Sequence, residues 1–294
     1  MLKRIFTLCV ICAVVLVAGA GCGKKAEDAS TTPTDEQQEE TKFERAPGDI
    51  THMTDYPVVE TLAANNGDYV LAPSELMLDE PGVVIYYGAT VSEKGEKESK
   101  LKRLSGGTES LPNAVIVPIK PNQKASVGDI LLTWWQSGSG MERAIVTGGS
   151  ADQPTVMYLD IDYDNPSGAG QEEDTLKPDT FHKLSDGDIG TGAACLDEGD
   201  YVFVRVTGEA EGKLLTDGFA GTMKSYSKED CKFIPVNPNV KAGDTVFVPI
   251  IGTMSEAVVE SVDPKIGRVF VTYDWVGTEE KAAIAFGSVM KELR

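Results

Sequence analysis

The chain has 294 residues, 46 of them acidic and 27 basic, for a net charge of −19. So acidic a surface repels phosphate backbones and argues against nucleic acid as a partner; plain solvation of an acidic surface, a cation or a basic partner all remain compatible with it. Two histidines and five cysteines leave few candidates for imidazole or thiolate chemistry.

At the start, Lys3 and Arg4 precede an apolar run from Ile5 to Val17, followed by small residues that end at Cys22. This is the layout of an export signal, and the run is too short to span a membrane, which takes about 20 apolar residues. Residues 1–21 resemble a bacterial lipoprotein signal. That resemblance implies lipidation of Cys22, a lipid-anchored place in the bacterial cell envelope and, if the cell is Gram-negative, sorting to the outer membrane, because Gly23 rather than Asp follows. Gly19 departs from the pattern, and cleavage after Ala18-Gly19-Ala20 would instead release a soluble secreted protein. Cys9 and Cys12 leave with either signal. Cys195 and Cys231 then remain as an expected disulfide, since an exported pair meets an oxidising compartment. Residues 22–48 carry one aromatic side chain and almost no aliphatic bulk, so they read as a disordered tether.

The body begins near residue 49. A Gly-Asp turn followed by β-rich residues recurs as "GDYVLA" at Gly67, "GDILLTWW" at Gly128, "GDYVFV" at Gly199 and "GDTVFV" at Gly243. The text leading into the second and fourth also agrees, "VIVPIKPNQKASVGD" against "KFIPVNPNVKAGD". We read an internal duplication, 49–186 and 190–294, each half holding a pair of repeats. "MERAIV" at Met141 matches "MSEAVV" at Met254, and "YYGATV" at Tyr86 fits the same place; "GFAGTM" near Gly218 fits loosely. Helical periodicity is nearly absent, so the body is expected to be all-β.

Within the second repeat, "VMYLDIDYD" aligns with "RVFVTYDWV", placing Met157, Leu159, Ile161 and Tyr163 on the core face opposite Val269, Val271, Tyr273 and Trp275. Asp160, Asp162 and Asp164 then point to solvent. On an extended strand alternate carboxylates lie about 6.6 Å apart, too spread for one calcium ion. The acidic insertion from Asn165 to Asp174 could fold back toward them, which keeps a structural or calcium-responsive spacer as the alternative function.

The order of Gly-Asp, first strand, Ala-x-Val strand and "VFVTYDW" strand is similar to the Tudor and Agenet families of SH3-like barrels. The resemblance implies four small barrels arranged as two duplicated pairs, and an aromatic cage at one end of a barrel. The matching aromatics are Trp134, Trp135, Tyr163 and Trp275. No zinc-spaced cysteine set or nucleophile motif appears; "GTGAAC" at Gly190 lacks the third glycine and the helix of a phosphate loop, and His52 and His182 read as surface residues. The sequence-based expectation is a non-enzymatic binding or scaffolding module without cofactor, with an envelope protein or cell-wall polymer as partner and Trp134 and Trp135 as its contacts.

Overall fold

The computed structural model describes residues 46–78, 82–135 and 140–293. The expected signal, Cys22 and most of the expected tether lie outside the described residues. The body is all-β, and its strands run in four meanders. The first holds β1 (Tyr69–Ala72), β2 (Tyr87–Glu93), β3 (Glu98–Arg103), β4 (Thr108–Pro112) and β5 (Val117–Pro118). The second holds β6 (Ile130–Trp134), β7 (Met141–Gly149), β8 (Pro154–Tyr158), β9 (Glu173–Thr175) and β10 (His182–Lys183). The third has β11 (Gly192–Asp197), β12 (Asp200–Ala210), β13 (Lys213–Gly218), β14 (Met223–Ser227) and β15 (Cys231–Phe233). The fourth has β16 (Thr245–Ile250), β17 (Thr253–Asp263), β18 (Arg268–Trp275) and β19 (Thr278–Ala285), with Met290 bridging Phe247 where a fifth strand would lie.

In every meander the strands lie in the order fourth, third, second, first, fifth. The first two meanders are separate five-stranded sheets, and pairing of Val202 with Thr253 joins the other two into one of nine strands. Two local devices recur. A glycine with positive φ at 67, 128, 190 and 243 donates its N–H to the carbonyl of Val91, Val146, Val206 and Val259 at 2.8, 2.9, 2.7 and 2.9 Å. Directly after each of those valines the second strand bulges, which bends it and increases its twist.

These devices correct the reading of the third meander. Its leading turn is Gly190-Thr191, so "GTGAAC" heads β11. Glu198 and Gly199, both at positive φ, instead form the tip of the β11–β12 hairpin, and "GDYVFV" supplies the second strand. Gly followed by a short polar residue serves either turn, so the motif does not distinguish them.

The expected tandem Tudor- or Agenet-like barrels are also corrected, because no sheet closes. Each fifth strand pairs with the first alone and is short, and Pro118 ends β5 while Pro235 follows β15; proline offers no N–H to continue a ladder. Burial gives the deeper reason. On β1, Val70 and Ala72 enter the first meander's own core, while Leu71 enters a second core shared with the other meanders. On β6, Leu131 faces inward to its own meander and Ile130 and Leu132 face the shared core. That core also takes Val246, Val248 and Val269 of the fourth meander. A sheet with both faces covered stays open toward its neighbours, and its strands read as continuous apolar runs.

The lead-in segment is built into this body. Ile50, Tyr56, Leu62 and Ala64 are buried. The Tyr56 hydroxyl donates to the Thr216 carbonyl at 2.7 Å, and the Asp55 carboxylate accepts from the Ser225 N–H at 2.7 Å. Residues 50–64 thereby tie the first meander to β13 and β14 of the third.

Candidate functional site

Trp134 closes β6 and stands beside β2 of the neighbouring meander. Tyr87 meets it edge-on, with centroids 6.4 Å apart and planes at 72°. Gly88 makes the approach: a Cβ there would lie 2.0 Å from the Tyr69 hydroxyl and 2.8 Å from the Trp134 ring. Next to these rings a groove of about 570 Å³ is lined by Met77, Tyr87, Gly88, Arg103, Leu104 and Trp134. Leu104 stands 57% exposed on its rim. Arg103 forms a fixed wall, donating to the carbonyls of Ala72 and Pro73 and to the Glu109 carboxylate.

The other expected aromatics lie elsewhere. Trp135 faces the opposite side of β6, as alternation requires, and packs against Tyr158 at 5.9 Å within the second meander's core. Tyr163 meets Phe270 edge-on at 6.0 Å. Trp275 is 44% exposed beside the β18–β19 turn. The four do not assemble into one cage.

The aspartates are corrected too. Counted from the bulges, Val156 takes the place of Val271, three residues away from the expected register, and β8 ends at Tyr158. Asp160 therefore does not continue a solvent face. Its backbone is exposed, but its carboxylate turns inward, 18% exposed, to accept from Arg143 Nε at 3.0 Å and Arg205 Nη1 at 3.2 Å. Asp162 accepts from the Asp164 N–H at 3.2 Å; both stay at the surface. Among the described residues no three His, Cys, Asp or Glu side chains gather as a metal-ligand set.

Around Asp160 lies a charged junction between the second, third and fourth meanders. Arg143, 2% exposed, donates to the Gly287 carbonyl and the Ser288 hydroxyl, each at 2.7 Å, and stacks 5.6 Å from Phe203. Arg205 bridges Asp160 and Asp217. Arg268, 3% exposed, donates to the carbonyls of Tyr158 and Ile161, each at 3.0 Å, and lies 5.5 Å from the Tyr163 ring. Burial pushes the Asp160 carboxyl up, but Arg143 and Arg205 outweigh it and hold the pKa at about 2. Glu142 is 9% exposed with Oε2 unpartnered; burial and the neighbouring Asp160 push it to about 8, against Arg205 and Arg143. A cavity of about 630 Å³ opens onto this junction.

None of these arginines figured among the sequence candidates. Their signal was a guanidinium inside an otherwise apolar strand, as in "MERAIV", "VFVRVT" and "GRVFV", since arginine is rarely fully buried unless paired. His182 is buried rather than superficial, at 1% exposure, with Nε2 3.3 Å from the Ile189 carbonyl. Burial, then Lys120, lowers its pKa to about 4. Cys195 and Cys231 form a disulfide between directly paired residues of β11 and β15. Compared with models of known protein families the chain matches none, and no curated protein matches it.

Proposed function

We propose that the chain is a non-enzymatic binding module whose groove beside Tyr87 and Trp134 receives an apolar side chain of a partner protein. The observation that carries this reading is Gly88, where the missing side chain lets the Tyr69 and Trp134 rings lie against the β2 backbone, the Trp134 ring at the edge of an open groove. Aromatic anchors beside a concave apolar surface are what protein recognition favours. The edge-on rings offer no flat double platform for a sugar, so the reading favours a protein over a wall polymer. The disulfide supports an exported setting, and the partner would then be another envelope protein.

The test places a photo-crosslinking residue at Leu104 in intact cells. A discrete protein adduct is expected, and Trp134→Ala and Tyr87→Ala should each abolish it while the protein accumulates normally. Absence of an adduct, or one indifferent to both substitutions, would remove the groove as the contact.

A further inference from the structure

The charged junction contains an imbalance. Arg143 is matched by Asp160 and Arg205 by Asp217. Arg268 forms no ion pair among the described residues, although it is 3% exposed. Three backbone carbonyls hold it, and the third contact, from Nη1 to Ala283, is stretched to 3.5 Å. Asp160 and Asp162 lie within electrostatic range, but the first is taken up by the other two arginines and the second is in solvent. Glu142, the remaining acid at the junction, forms no ion pair among the described residues, and its Oε2 has no hydrogen-bond partner. A buried guanidinium without a counter-charge is costly, and here it lines a cavity of about 630 Å³. Two further atoms at the junction lack partners, Arg205 Nε and Asp217 Oδ1, the latter on a residue 8% exposed.

The cavity mouth has the opposite character. Phe219 and Ile251 are 61% and 63% exposed there. Ile251 sits at φ 49° in the β16–β17 turn, a conformation that a β-branched residue adopts only under strain. Gly252 seats the phenylalanine, since a Cβ there would come 2.7 Å from Phe219 Cβ. The third meander's two tight turns have Glu198 and Glu211 at the comparable left-handed position. Val276 has the same conformation, φ 53°, in the β18–β19 turn and is 87% exposed, so what singles out Ile251 is its place on the lining of this cavity.

We infer that this cavity is a second binding site, separate from the Trp134 groove, for a small organic carboxylate with an apolar body: the carboxylate supplies the missing counter-charge of Arg268, and the body lies against Phe219 and Ile251. The size falls within the usual range for small-ligand cavities.

Calorimetric titration of the full chain tests the assignment, with octanoate and 3-phenylpropionate as probes and octanamide as the uncharged comparator. Saturable one-site binding of at least one acid is expected, with octanamide at least tenfold weaker than octanoate. Arg268→Gln should weaken octanoate about tenfold and leave octanamide unchanged, whereas Phe219→Ser, at an exposed position, should weaken both. No saturable binding of either acid, equal affinity for octanamide, or wild-type affinity in the Arg268 or Phe219 variant would overturn the proposal. Should Arg268→Gln fail to fold, the Arg268 Nε–H resonance of the wild-type protein decides: octanoate must shift it, and a resonance unmoved at saturation refutes the site.

Discussion

Arg143 survives at 2% exposure because its donors all find acceptors: the Asp160 carboxylate, the Gly287 carbonyl and the Ser288 hydroxyl. Removing a member of such a pair leaves an unpaired buried charge, which costs about 3–5 kcal/mol. Arg143→Met leaves Arg205 still donating to Asp160, so it should lower stability by about 3 kcal/mol, the lower end of that range, in urea denaturation at pH 7. Asp160→Asn should cost less in that background than in the wild type, because the carboxylate it removes has already lost a partner. If the two substitutions instead add without coupling, the ion pair adds no stability of its own, and Arg143 acts through its bonds to Gly287 and Ser288 of the fourth meander. At this scale the sequence was legible where alternation alone decides. Trp134 and Trp135 face opposite ways because adjacent strand residues must. Asp160 was not legible: β8 stops two residues before it, and its arginine partners come from β7 and from a strand of another meander.

At the level of elements, two small devices organise each meander, a left-handed glycine before the first strand and a bulge in the second. The glycines at 67, 128 and 243 could be read from their Gly-Asp signature. The one at 190 could not, because threonine follows it and Gly199 carries a stronger copy of the motif in a different turn. The disulfide was readable by cysteine arithmetic, and the strand pairing now shows what it does: it fastens β15, only three residues long, to β11. The bridged residues are 36 apart in sequence, so in the chain-entropy model the link stabilises the fold by about 4 kcal/mol. Replacing both cysteines with alanine should lower the denaturation midpoint accordingly. Hydrogen exchange should also become faster at the Ile234 amide, which donates to the Gly192 carbonyl at 2.9 Å beside that strand. Exchange that changes nowhere near β15 would mean that the ladder holds this strand without the disulfide.

Across the whole molecule, closure of each meander was the expectation, and a shared core is the outcome. Strands such as "YVLA" and "ILLTW" carry apolar residues on both faces, which a barrel with a solvated exterior does not need. The interior that results also buries titratable groups with opposite effects on stability. His182 is held neutral, its pKa lowered from 6.5 to about 4, so the unfolded chain binds a proton that the native state refuses and stability falls as pH drops through that interval. Glu142 is raised from 4.5 to about 8; here the native state keeps a proton that the unfolded chain releases, and stability falls as pH rises from 4.5 to 8. Between pH 4.5 and 6.5 the two slopes oppose each other, and outside that window one acts without the other. Asp160, lowered from 3.8 to about 2, adds a further loss in strong acid. Thermal unfolding should therefore show its highest melting temperature between pH 4.5 and 6.5, with one decline toward pH 8 and another below pH 4.5. Glu142→Gln should flatten the alkaline decline and leave the acid limb in place; His182→Gln should soften the acid limb alone. An alkaline decline that persists undiminished in Glu142→Gln would show that the buried glutamate is not its source, and that the junction holds its charges in some other balance.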